Sequence, residues 1–240
     1  MTAHYHDIAD RVERIEPFLA NTPLLPGTGQ REIPRLRWSG IYRNGVKRLL
    51  DIVLTLLGAP IVVPLVALLA LMIACDGGSP FYVQDRVGRD GRIFKMWKLR
   101  SMVLRAESRL ADHLAQDPSA KTEWDTTQKL KSDPRITGFG RLLRKSSMDE
   151  LPQLWNVMIG DMSLVGPRPM MTCQQPLYPG SAYYKLRPGI TGSWQVSERN
   201  ESTFADRARF DALYDRELSL MTDLRLLKAT FRVVLRATGY

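Results

Sequence analysis

The chain of 240 residues contains only two cysteines and three histidines. Cys75 and Cys173 stand far apart, which excludes a disulfide framework and any cysteine-rich zinc module and fits a reducing compartment. His4 and His6 lie near the first residue and His113 in a charged stretch, so a histidine triad, an HExxH zinc site or a histidine proton shuttle lacks material. Also missing are a GxxxxGKS/T phosphate loop and a GxGxxG turn after a strand, which disfavours the nucleotide folds built on them. Any chemistry therefore falls to carboxylates, arginine and lysine.

What is present is basic and foldable. Lys and Arg number 34 against 25 Asp and Glu, a formal charge of +9, and 44% of the residues are apolar. Five Trp, eight Tyr and seven Phe supply a core, so the length and composition fit one domain with an appendage and exclude a disordered chain.

Residues 52–75 (IVLTLLGAPIVVPLVALLALMIAC) carry no charge, and as a straight helix they reach roughly 36 Å, enough to cross a bilayer. The run begins well inside the chain and no small-residue cleavage site follows, so it is expected to be retained in the mature protein. Gly58, Pro60 and Pro64 interrupt it, and an interior proline removes a helical hydrogen bond and clashes with the preceding turn, so a bend near Pro64 is expected. Arg31, Arg35, Arg37, Arg43, Lys47 and Arg48 precede the run, and Arg86, Arg89, Arg92 and Lys95 follow it. Positive charge on both sides marks both ends as cytoplasmic and favours a re-entrant helix-break-helix over a kinked span or a buried core helix.

Elsewhere the organisation is simple. Residues 1–40 read as a mobile extension with a TPLLPGTG stretch, residues 41–76 as the membrane segment and residues 77–240 as a cytoplasmic catalytic domain. Two aromatic-rich runs around Gly88–Gly91 predict a short β-hairpin between Phe81 and Met102, and residues 106–131 a solvated polar helical excursion. Residues 219–236 are amphipathic. Leu220, Leu224, Leu227, Phe231, Val234 and Leu235 share one side beside a stripe of Arg225, Lys228, Arg232 and Arg236, a pattern that suits a membrane interface or a core-packing helix with a solvated basic edge. The fold class is thus α-rich α+β, a monotopic membrane protein with a proline-broken re-entrant helix, a small hairpin and interfacial amphipathic helices.

The chemistry concentrates in RLLRKSSMDELPQLWNV, where Pro152 in a first turn starts a helix near Asp149 or Glu150. Adjacent carboxylates there could be no more than a cap and a first-turn acid. Arg141, Arg144 and Lys145 upstream and Arg168 between two prolines turn the region toward phosphate, where one carboxylate can attack phosphorus and its neighbour hold Mg2+.

Lys47-Arg48 and Asp51 ahead of the hydrophobic run, then FYVQDRVG, FKMWKLRSM, SSMDELPQLWNVMIGDMSLVGPRP and LRPGITGSWQV, together resemble the bacterial sugar transferases, the monotopic phosphoglycosyl transferases, over about residues 43–240. The resemblance implies transfer of a sugar 1-phosphate from a UDP-sugar to undecaprenyl phosphate at the cytoplasmic face of the bacterial inner membrane, releasing UMP and starting an exopolysaccharide repeat unit. It makes Asp149 the nucleophile that forms a phosphosugar-aspartate intermediate, and Glu150 a Mg2+ ligand joined by Asp223. Arg144, Arg168, Arg199, Lys98 and Arg100 become the substrate-phosphate contacts. The KLKSDPR, SAYYKLRPGITG and ATGY stretches are most similar to the branch that starts with galactose or glucose, and an oligomer fits as well as a single copy. Two rival readings remain open. One is a nucleic-acid or anionic-lipid module using the basic run from Arg86 to Arg105, although no known nucleic-acid motif accompanies that run and no nucleic-acid partner is expected. The other is a non-catalytic membrane scaffold, which the intact Asp149-Glu150 pair disfavours.

Overall fold

The computed structural model describes residues 40–127, 130, 132–197, 204 and 206–235. The expected mobile extension, apart from its last residue, lies outside them, as does Arg199. From Tyr42 onward the chain clusters as one compact unit.

Helix α1, Lys47–Ala74, follows a π-helical turn at Tyr42–Val46. The 33 residues Tyr42–Ala74 are long and apolar enough to cross a membrane by length and composition. Pro60 and Pro64 both lie inside α1, which is helical on either side of each of them. Each proline costs one backbone bond, which is small beside the helical bonds of the flanking turns. The middle of α1 is bare, with Leu57 71% and Ile61 75% exposed, whereas both of its ends are fastened to the same folded body.

At the first end, Arg48 donates to the carbonyls of Val157 and Met158, Asp51 accepts from the Leu164 N–H at 3.0 Å, and Lys47 pairs with Asp223 at 2.7 Å. At the other end Leu69, Ala70 and Ile73 form a core cluster with Leu99 and Leu143, and Arg100 bonds Asp76 and the carbonyls of Ser79 and Ile73.

The hairpin is β1, Phe81–Val87, antiparallel to β2, Ile93–Leu99, with Phe81 opposite Leu99 and a turn over Arg89–Gly91. The polar excursion is two helices, α2 (Ala106–Gln116) and α3 (Pro118–Thr127), because Asp117 ends the first and caps the second through the N–H groups of Ser119 and Ala120. Helix α4, Gly138–Lys145, is capped by the Thr137 hydroxyl, and α5 spans Gln153–Ile159. Gly160 ends α5 at φ +95, a left-handed closure that glycine adopts without strain.

Two short strands that periodicity did not reveal, β3 (Ser163–Val165) and β4 (Gly189–Thr191), pair in parallel and bring the VGPRP and RPGITG loops side by side. A Cβ at Gly166 would stand 2.3 Å from the Arg187 carbonyl oxygen, so this approach needs glycine. The chain continues through α6 (Ser193–Ser197), α7 (Arg207–Glu217) and α8 (Leu220–Leu235).

The face of α8 differs from the sequence expectation. Asp223 is buried, and Leu226 and Leu227 pack on the core with Tyr42, Val165 and Tyr214, while Leu220, Met221, Leu224 and Phe231 are exposed. The helix thus uses one stripe for the core and offers a second apolar stripe outward.

Asn156 fixes α5 to the hairpin. It is fully buried, accepts from the Trp97 N–H at 3.1 Å and donates to the Lys95 carbonyl at 2.8 Å. Asn156→Ala leaves both backbone groups without that partner and is expected to cost about 2 kcal/mol, read as a lower thermal midpoint in detergent. An unchanged midpoint contradicts this anchoring role.

Candidate active site

Helix α4 is held by Leu143 in the core, and the chain leaves it through Ser147 in a left-handed conformation at φ +56. A 3-10 turn, Met148–Glu150, then precedes α5, and Pro152 occupies the position before the first α-helical residue. The helix start expected near Asp149 is therefore this tight turn, with the α-helix beginning at Gln153. The turn points the two acids differently. Asp149 is buried at 9% exposure, and Glu150 receives Lys98 from β2 at 2.8 Å.

Burial pushes the Asp149 carboxyl above the usual carboxylate range, and the neighbouring Glu150 charge pushes the same way. Lys98 and Arg144 pull against both. Asp149 is thus a poorly solvated anion whose charge is supported by cations at its side.

Glu150 and Lys98 line an open pocket together with Arg168, Arg86, Gln153 and Gln195. Arg168 reaches it from the VGPRP loop, whose backbone carbonyl at Arg168 accepts from Arg207 at 2.9 Å. The Arg168 and Arg207 guanidinium groups lie 5.8 and 5.0 Å from the Trp194 ring centre. Burial and then the adjacent Arg168 charge pull Arg207 down to about 10, and burial and then Arg168 also pull Arg86 down. Behind them Asp211 accepts from the Tyr178 hydroxyl at 2.8 Å, with its carboxyl pushed up to about 6 by burial. Closely set arginines with little room for water make a receptor for a multiply charged anion.

Of the residues singled out from sequence, the structure brings Asp149, Glu150, Lys98 and Arg168 to this region. Arg144 stands behind it, donating to the Ser101 hydroxyl at 2.8 Å and feeling the Asp149 charge. Two others are engaged elsewhere. Arg100 grips Asp76 at the end of α1. Asp223 spends one oxygen on the Tyr214 hydroxyl at 2.6 Å and the other on Tyr42 and Lys47, so it serves the core joint between α1 and α8. The basic run from Arg86 to Arg105 is likewise divided: Arg86 faces the pocket, Lys95 pairs with Asp85, Lys98 with Glu150 and Arg100 with Asp76.

Among the described residues no group of three or more His, Cys, Asp or Glu side chains could hold a metal ion. Glu150, which lines the pocket, fits Mg2+ only in the manner in which one or two carboxylates bind it and substrate phosphates and water complete the shell. The Asp223 oxygens are engaged by Tyr42, Lys47 and Tyr214.

Arg86, Gln195, Arg207 and Asp211 were not marked as site residues in the sequence. Arg86 had one signal, since alternation along FYVQDRV places it on the strand face opposite Asp85. Gln195 borders the pocket from α6, and Arg207 and Asp211 stand behind Arg168 on α7, far along the chain from the acidic pair.

The family model for bacterial sugar transferases matches residues 42–237. Over 196 residues the chain is 46% identical to the UDP-galactose-lipid carrier transferase of Erwinia amylovora, covering 81% of this chain and 41% of that protein. It is 41% identical over 196 residues to the exopolysaccharide production protein ExoY of Sinorhizobium fredii, covering 80% and 87%. With the UDP-glucose:undecaprenyl-phosphate glucose-1-phosphate transferase of Escherichia coli it shares 34% over 202 residues, 78% of this chain and 40% of that protein. The chain thus spans about two fifths of the length of the first and third of these proteins.

The buried Asp149 carboxylate has a stability consequence. A folded-state pKa above the unfolded value means that the folded chain holds the proton more tightly, so stability falls as pH rises out of the ordinary carboxylate range. Asp149→Asn is expected to raise the thermal midpoint at pH 7, with the gain vanishing in acid. A lower midpoint at pH 7 contradicts a destabilised carboxylate.

Proposed function

The chain belongs to the bacterial sugar transferase family, and on that premise we propose that it moves a hexose 1-phosphate, galactose or glucose, from a UDP-sugar to undecaprenyl phosphate and so starts an exopolysaccharide repeat unit. The observation that carries the reading is a buried carboxylate, Asp149, set next to Glu150, which with Lys98 lines a pocket walled by Arg86 and Arg168. That arrangement suits nucleophilic attack on an anionic phosphorus centre, because the cations that hold the diphosphate also lower the repulsion met by the incoming carboxylate.

In this mechanism Arg86 and Arg168 bind the donor diphosphate. An Asp149 carboxylate oxygen attacks the sugar-bearing β-phosphorus, the bond from that phosphorus to the bridging oxygen breaks, and UMP leaves with the electron pair. A phosphate oxygen of the lipid acceptor then attacks the same phosphorus and returns the carboxylate of Asp149. Lys98 holds Glu150 in place and keeps positive charge beside the nucleophile throughout. Mg2+, held by Glu150 with substrate phosphates and water, would offset the diphosphate charge when bound.

The site sits at a membrane face in this proposal. A catalytic body fastened to both ends of α1 favours an α1 that enters and leaves one leaflet at the cytoplasmic face of the inner membrane. The bare middle of α1, the outward Leu220, Leu224 and Phe231 of α8, and Trp155 on α5 at 59% exposure supply apolar surface for lipid.

Purified full chain with undecaprenyl phosphate, Mg2+ and a panel of UDP-galactose, UDP-glucose and UDP-N-acetyl sugars is expected to release UMP from one donor. Asp149→Asn should lower that rate by more than about a hundredfold, and excess EDTA should stop it. A near-normal rate in the variant overturns the nucleophile, and full activity in EDTA removes the metal.

For topology, single cysteines at Gly45 and Gly78, in a chain with Cys75 and Cys173 replaced by serine, are expected to be shielded from an impermeant thiol reagent in intact cells and labelled together once cells are opened. Labelling of one position from outside contradicts the one-faced arrangement.

A further inference from the structure

Arg168 enters the pocket from a segment that offers few backbone donors. Pro167 and Pro169 flank it and have no N–H to give, so the chain is fixed there through its carbonyls. The Pro167 carbonyl accepts from the Gly189 N–H at 2.8 Å and the Met170 carbonyl from the Val87 N–H at 3.0 Å, ties to the neighbouring strands β4 and β1. The carbonyl of Arg168 itself is held by a side chain, Arg207 of α7, whose Nη2 donates to it at 2.9 Å.

Arg207 meets Arg168 a second time. Its guanidinium lies 5.0 Å from the Trp194 ring centre, and the Arg168 guanidinium lies 5.8 Å from the centre of the same ring. Phe204 lies under Arg207 as well, at 4.9 Å, and Arg207 is buried. Burial and then the Arg168 charge both work against the Arg207 cation, and Asp211, one turn further along α7, offsets part of that cost. A group that only had to hold a carbonyl could do so without a charge. Arg168 lines the pocket and Arg207 is not among the side chains that do, so any influence of Arg207 on the donor passes through its neighbour.

We propose that Arg207 is a positioning residue, which fixes the VGPRP loop at the Arg168 carbonyl so that the Arg168 guanidinium meets the donor diphosphate in one orientation. The inference rests on the reading above that Arg168 binds that diphosphate. It divides the work between the two arginines: Arg168 contacts substrate, and Arg207 acts from behind it.

The test is a double-mutant cycle read as UDP binding to the full chain in detergent, with wild type, Arg168→Ala, Arg207→Met and the double variant. Arg168→Ala is expected to weaken UDP binding by roughly tenfold or more, and Arg207→Met by a similar or smaller factor. The double variant is expected to bind about as weakly as Arg168→Ala alone, because a residue that works through Arg168 then has nothing left to position. Losses that multiply independently overturn the inference. Normal UDP binding by Arg207→Met, even with a lowered thermal midpoint, also overturns it and leaves Arg207 a purely structural anchor. Arg207→Lys keeps the charge and a donor without the planar fork, and is expected to recover part of the affinity. If Arg207→Met fails to fold, Arg207→Lys takes its place in the cycle under the same criteria. Unchanged UDP binding by Arg168→Ala removes the diphosphate contact and this inference with it. Should wild type bind no UDP and release no UMP from any UDP-sugar, the donor reading itself fails. UDP binding that needs Arg168 but shows no coupling to Arg207 fails this inference alone.

Discussion

Everything in the site depends on how one turn of an apolar helix is tied down. Lys47, Arg48 and Asp51 lie within five residues at the start of α1, and each grips a different part of the body: Asp223 on α8, the carbonyl end of α5, and the backbone of β3. These are buried or half-buried charges, and each has a partner, the condition under which such groups hold a joint rather than weaken it. Arg48 holds the far end of α5 and Asn156 its length, and the turn that carries Asp149 comes directly before that helix.

That fixed turn makes an electrostatic tension useful. Burial disfavours the Asp149 charge, and Glu150 beside it adds to the penalty, while Lys98 and Arg144 offset part of it. Arg86 and Arg207 stand in the opposite situation, positive groups pulled down by burial and by Arg168. Of these two, Arg86 lines the pocket, where an anion would offset its unfavourable burial. The Arg207 guanidinium lies over the Trp194 and Phe204 rings.

The same economy governs the apolar surface. The exposed stripe of α8, Trp155 on α5 and the middle of α1 are each more than the body needs for its own core, which is built instead from Tyr42, Val165, Leu186, Tyr214 and Leu218 and from Leu69, Leu99 and Leu143. Asp223, which the resemblance assigned to metal, belongs to this division: it fastens α8 with its inner stripe down and leaves the outer one free.

Local pattern alone determined a good deal: the long uncharged run, the hairpin with its turn near Gly88–Gly91, the last helix, and an acidic pair ahead of a proline amid cations. Each of those features follows from neighbours in sequence, which set propensity, turn chemistry and period. The missing parts are those that need distant residues to meet. The path of α1 through its prolines, the buried stripe of α8, the parallel β3–β4 pair, the diversion of Arg100 to Asp76 and of Asp223 to two tyrosines, and the entry of Arg86 and Gln195 into the pocket were decided by tertiary structure. A parallel pair of three-residue strands has no period to read, and a charged side chain's role depends on which partner comes within about 3 Å. Sequence named candidate side chains, and packing decided which of them come together.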